Sequence, residues 1–126
     1  MNLTKNFKYE EFAKDTAIPL KYQDNILGLV NLLQILREYI DEPIYITSGY
    51  RNKEKNKQVG GVENSQHMTG EAADITCSMQ NMRNIVNYLD GEDAPVFDQC
   101  IFYRKKGYIH ISKKNSGINR NQIIIK

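Results

Sequence analysis

The sequence predicts an α+β domain, on three observations. Apolar residues recur at helical spacing between residues 20 and 40, a second amphipathic pattern runs to about residue 89, and the remaining strand-like segments gather mostly in the C-terminal half. At 126 residues the chain reads as one domain, residues 1–126, large enough to bury a core without disulfides or a structural metal. Its 40% hydrophobic and 25% charged residues are ordinary for a globular protein.

Taken in order, Lys8 to Lys14 reads as a short helix carrying Tyr9 and Phe12. Pro19 stands near the start of a long helix, Leu20 to Tyr39, where proline is tolerated in the first turn. Ile26, Leu29, Val30, Leu33, Leu36 and Ile40 should form its buried face, and Asp41-Glu42-Pro43 ends it. Ile44 to Thr47 is a strand running into Ser48-Gly49-Tyr50-Arg51. Asn52 to Gln58 is a short helix closed by Gly60-Gly61, and Glu71 to Thr76 alternates as a strand. Ser78 is an N-cap for a helix to Leu89, with Met82, Ile85, Val86 and Leu89 inward and Asp90-Gly91 as its stop. Phe97 to Tyr103 and Tyr108 to Ser112 read as antiparallel strands joined by the turn Arg104 to Gly107, and Ile123 to Ile125 as a last strand.

Seventeen basic and fifteen acidic side chains leave a net charge near +2, too balanced to predict a nucleic-acid partner. The runs Arg104-Lys105-Lys106 and Lys113-Lys114 read as solvated turn lysines, with local attraction to an anionic polymer as the alternative. Residues 1–7 show no apolar stretch of the kind a signal peptide needs, so the expected location is cytoplasmic as synthesised. Ile26 to Ile40 contains Asn31, Gln34, Arg37 and Glu38 and is too short and polar to span a bilayer. Cys77 and Cys100 fit free thiols in a reducing compartment. Cys77 follows Asp74 by three residues, but without a paired C-x-x-C spacing it reads as a small buried residue rather than a metal ligand.

The chain has two histidines, His67 in Ser65-Gln66-His67-Met68-Thr69-Gly70-Glu71-Ala72-Ala73-Asp74 and His110 in Tyr108-Ile109-His110-Ile111-Ser112. Two imidazoles and the Asp74 carboxylate are a usual three-ligand set for catalytic zinc, leaving a fourth position open for water. If the strand of His110 pairs beside that of Asp74, all three side chains can share one sheet face. An isolated histidine is more often a surface or core residue. Two in separate segments of matching context shift the reading towards metal, most of the shift coming from the resemblance that follows rather than from spacing.

Ser65-x-His67-x-x-Gly70-x-Ala72-x-Asp74 resembles the signature of the zinc D-alanyl-D-alanine carboxypeptidase and dipeptidase family, which includes phage L-alanyl-D-glutamate endolysins and is akin to hedgehog signalling domains. Ser48-Gly49-Tyr50-Arg51 is similar to its upstream segment. Phe97-Asp98-Gln99, Tyr108-Ile109-His110-Ile111-Ser112 and the opening Leu3 to Phe12 are similar to compact phage and prophage members. The resemblance implies a hedgehog-type fold, with an antiparallel sheet carrying the zinc site and helices packed on one face. It implies one zinc ion held by His67, Asp74 and His110. Arg51 would bind the substrate carbonyl or its oxyanion, with a structural salt bridge as the alternative. Tyr50 and Ser65 would contact substrate, although Ser65 could equally cap the turn.

Family members carry a general-base carboxylate three or six positions before the third ligand. Here those positions are Gly107 and Arg104, and a one-residue shift of the turn would offer Tyr103. Asp98 is the nearest upstream acid and the candidate replacement base, against a structural carboxylate at a strand start; Glu71 reads as solvent-facing. The implied function is a monomeric zinc peptidase acting on peptidoglycan stem peptides, phage-related and released by lysis or carried on a particle. The alternative is a zinc-bearing domain that has lost hydrolysis and binds a cell-wall peptide or a protein partner.

Overall fold

The computed structural model describes all 126 residues. Four helices, α1 (Tyr9–Phe12), α2 (Gln23–Ile40), α3 (Lys53–Gln58) and α4 (Met79–Leu89), accompany five strands, β1 (Tyr45–Ser48), β2 (Ala72–Thr76), β3 (Gln99–Tyr103), β4 (Tyr108–Ser112) and β5 (Gln122–Ile125). All five strands form one sheet in the order β1-β2-β4-β3-β5.

The predicted long helix is present, but its first three residues, Leu20–Tyr22, form a 3₁₀ turn closed by the Tyr22 amide donating to the Pro19 carbonyl at 2.9 Å. Its buried face includes Ile26, Leu29, Val30, Leu33 and Leu36, as the spacing requires, while Ile40 is half-buried. Leu32 is buried as well. The N-terminal segment lies against α2, with Gln34 accepting from the Thr4 hydroxyl and the Asn6 amide, which widens the covered arc beyond one stripe. Asp41 ends the helix in the left-handed conformation (φ 53°), its amide bonded to the Arg37 carbonyl. Ser78 caps α4 by accepting from the Asn81 amide at 3.1 Å, and Met82, Ile85, Val86 and Leu89 are all buried.

The sheet has two unlike faces. Ile46, Ala73, Ile75, Cys100, Phe102, Ile109 and Ile111 join α2 and α4 in one hydrophobic core of 23 buried residues. Burial of each large aliphatic side chain there contributes about 1.5–3 kcal/mol. Because side chains alternate along a strand, Asp74, Tyr108 and His110 point to the opposite face, away from α2 and α4.

A mostly antiparallel sheet was expected, and the sheet is mixed, with one parallel pair. β1–β2, β2–β4 and β4–β3 are antiparallel, but β5 runs parallel to β3, with Cys100 opposite Ile123. β4 already has β2 on one side and β3 on the other. The chain reverses after β4 and adds to the outer edge of β3, and because β3 is itself antiparallel to β4, β5 runs parallel to it. Neither cysteine forms a disulfide; Cys77 packs beside the core, and burial pushes its thiol up to about 11 and that of Cys100 up to about 12. No helix is long and apolar enough to cross a membrane.

Candidate metal centre

His67 lies on a 3₁₀ turn, Gln66–Thr69, whose entry is capped by the Ser65 hydroxyl accepting from the His67 amide at 3.2 Å. Gly70 leaves the turn with φ +74°, a conformation suited to glycine. The turn is tied to the segment after β1 in both directions. The Arg51 amide donates to the His67 carbonyl at 3.0 Å, and His67 Nδ1 lies 2.8 Å from the Gly49 carbonyl. A carbonyl can only accept, so Nδ1 carries a proton, and in the neutral ring that metal binding requires Nε2 keeps its lone pair.

That lone pair faces Asp74 Oδ1 at 3.3 Å, and His110 Nδ1 faces the same oxygen at 3.1 Å. Register supplies the convergence, because Asp74 on β2 is directly opposite His110 on β4. One ligand atom from each of His67, Asp74 and His110 lies within 4.8 Å of the others, and these three are the cluster able to hold a metal ion. A neutral imidazole lone pair and a carboxylate oxygen are both acceptors, so their approach needs a cation or a proton between them. Two nitrogens and one oxygen are also a zinc donor set. The residues therefore fit the metal that the sequence implied.

Burial alone would raise the Asp74 carboxyl, but hydrogen bonds and charge from His110 and His67 outweigh it and hold it well below the usual carboxylate range. Asp74 Oδ2 is occupied separately by the Arg51 guanidinium at 3.1 Å. Arg51 also donates to the Ser48 hydroxyl and to Asn56, itself buried and donating to the Val62 carbonyl. These contacts turn Oδ1 towards the histidines, and outer partners of this kind commonly set the orientation of a ligand. The salt bridge that the sequence offered as the alternative role of Arg51 is present, but its partner Asp74 and the Gly49 carbonyl as the orienting acceptor were not legible in the sequence.

The three candidate ligands, with Arg51 and Ser65, line an open cavity of about 410 Å³ that also receives Tyr103, Tyr108, Gln99 and Lys126. A second cavity of about 560 Å³ shares Arg51 and Ser65 with it and is walled by Tyr22, Tyr50 and Met68. Tyr50 is thus brought beside the centre, buried with only 8% of its surface exposed. The Tyr108 phenol is pushed above its ordinary value by burial first, then by the Asp74 charge and by Tyr103, whose ring stacks on it at 4.6 Å.

Asp98 is placed differently from the other candidates. It is fully buried and does not line the metal cavity. Oδ1 accepts from the Arg120 amide and Nε, and Oδ2 from Arg120 Nη2 and Gln66. The Arg120 hydrogen bonds, opposed by burial, bring its carboxyl down to about 2. Such a carboxylate is a poor proton acceptor. It anchors Gln66, the neighbour of His67, for which the sequence suggested no role. Glu71 is half-buried rather than solvent-facing and accepts from the Thr69 hydroxyl. Arg104 is exposed and bonded to the Lys126 carbonyl, and Gly107 sits at φ +77° in the hairpin turn.

Comparison with known proteins agrees with this geometry. The family model for peptidase M15 matches residues 5–112, which include His67, Asp74, His110 and Arg51. A curated relative, the zinc D-Ala-D-Ala carboxypeptidase of Streptomyces albus G, is 43% identical over 57 residues. That match covers 44% of this chain and 22% of the relative, so the chain corresponds to only a part of that protein. With the model spanning most of the chain and the metal-binding residues inside the match, the chain belongs to the peptidase M15 family.

Proposed function

We propose that the protein is a zinc peptidase that hydrolyses amide bonds in peptidoglycan stem peptides beside a D-amino acid, as a D,D-carboxypeptidase or an L,D-endopeptidase. The observation that carries this reading is the convergence of His67 Nε2 and His110 Nδ1 on a single oxygen of Asp74 at the wall of an open cavity. Zinc bound there would polarise a scissile carbonyl and acidify a water. The chain's own residues do the rest. Gly49 keeps the His67 lone pair turned inward, and Arg51 holds the outer oxygen of Asp74. Three N–H groups of Arg51 are engaged by Ser48, Asn56 and Asp74, which leaves two of its five donors for a substrate carbonyl. Tyr108 lines the same cavity, where its phenol O–H is a further hydrogen-bond donor.

The resemblance of the opening and closing segments to compact phage enzymes supports a lytic setting, in which the protein reaches the wall on lysis or on a particle. A second reading has its own observation. Asp74 is the sole carboxylate lining the metal cavity, so no side chain there is an obvious proton acceptor. A metal-bearing domain that binds a cell-wall peptide without cutting it would look the same.

Mass spectrometry of muropeptides incubated with zinc-loaded protein, beside His67→Ala, separates the two. Loss of D-alanine or a severed stem peptide, absent with His67→Ala, is expected. Intact muropeptides with one equivalent of zinc bound would leave the binding reading.

A further inference from the structure

We propose that the tip of the β3–β4 hairpin, together with the end of β5, is a docking surface for a linear polyphosphodiester, a flexible chain of phosphate charges without bases. Such docking is independent of the peptidase reading. Ten basic and fifteen acidic side chains precede Gln99, whereas residues 99–126 carry seven basic side chains and no aspartate or glutamate. The net charge near +2 therefore conceals an acidic body and a strongly basic C-terminal end. Lysines that serve solubility alone are usually interspersed with acids.

The fold gathers four of these seven cations. Arg104, Lys105 and Lys106 form an exposed turn, and Lys126 is exposed beside it. Because β5 runs parallel to β3, its last residues arrive at the turn end of the sheet, where the Arg104 amide donates to the Lys126 carbonyl at 3.1 Å. None of the four side chains takes part in an ion pair, while Lys114 and Arg120, at the other end of the sheet, pair with Asp98. The turn is also well held. The Gly107 amide donates to the Tyr103 carbonyl and the Thr76 hydroxyl to the Gly107 carbonyl, both at 2.8 Å. The Lys106 and Lys126 ammonium groups each lie 5.6 Å from the Tyr103 centroid, so one ring steadies both.

Several cations in a small area without carboxylates suit a partner with repeated anionic groups better than a single anion. Nucleic acid fits less well. Tyr103 and Tyr108 stack on each other at 4.6 Å, which commits these rings to each other and to the lysines instead of to bases. Lys126 and Tyr103 also line the metal cavity, so a polymer held on the tip lies at the cavity rim.

Fluorescence anisotropy with labelled poly(glycerol phosphate) and the zinc-loaded full chain tests the surface. R104Q/K105Q/K106Q removes three charges from the turn, and K5Q/K57Q/R83Q removes three exposed charges elsewhere. The turn variant is expected to bind at least about tenfold more weakly, and the control to stay within about twofold of the unaltered protein. Binding by the unaltered protein should weaken about tenfold between about 50 and about 300 mM salt. Lys105→Gln alone changes one exposed side chain and should weaken binding about twofold, which keeps the test decisive if the triple variant fails to fold. No binding of the polymer, equal losses in the two triple variants, or affinity indifferent to salt would each overturn the surface. Tighter binding of a single-stranded oligonucleotide of equal charge, or of phosphatidylglycerol vesicles, through the same three residues would overturn the polymer as its partner.

Discussion

At Asp98 the neighbours of a carboxylate decide its chemistry. Each of its oxygens accepts two hydrogen bonds, three of the four from Arg120. The sequence could offer it as a base because it is an acid close to the hairpin; Arg120, 22 residues away, supplies the partner that converts it into an anchor. Asp98→Asn should therefore cost stability, about 2 kcal/mol by denaturant unfolding. The pH dependence has a definite sign. The folded carboxyl titrates at about 2, below its ordinary 3.8, so its contribution is complete above about pH 4 and lost as pH falls through about 2. Acid unfolding of Asp98→Asn should lack that component. A hundredfold fall in kcat with unchanged stability would instead restore Asp98 as the base.

Between elements, the turn that carries His67 is held by the link after β1. Gly49 has two tasks there, since its carbonyl orients His67 and its Cα packs against α1. A Cβ on it would stand 2.6 Å from the Phe12 Cα. Gly49→Ala should destabilise the fold by about 1–3 kcal/mol through overpacking. It should also weaken zinc about tenfold by shifting the acceptor of Nδ1, measured by competition with a chelating dye. Gly117→Ala is the control. Unlike Gly49, Gly117 has a positive φ and open space around it, so its alanine variant should lose some stability with no change in zinc affinity. Equal zinc affinities in the two variants would refute the orienting role of the Gly49 carbonyl.

Over the whole molecule, a metal centre made from β2, β4 and the 66–69 turn couples binding to folding, because the three ligands meet only in the folded chain. Zinc at a hundred times its Kd should stabilise the protein by about 2.7 kcal/mol, a rise in Tm of roughly 10 °C for a domain of this size. Chelation should remove that rise, and His67→Ala should show none of it; a Tm indifferent to zinc in the unaltered protein would contradict the centre. Much of this was legible in residue order. The α2 stripe, the Ser78 cap on α4 and the β3–β4 hairpin follow from local periodicity and capping, which depend on near neighbours in the chain, while His67, Asp74 and His110 were identified mostly through the resemblance of their motifs to a known family. What only the tertiary structure decided is everything that joins distant segments. The Asp74–His110 register, the single Asp74 oxygen shared by both imidazoles, the Arg51 clamp, the parallel placement of β5 and the Arg120 pairing of Asp98 are of this kind. Local propensity carries no record of such contacts, because a side chain's partner across 20 or 30 residues is chosen by packing of the whole chain.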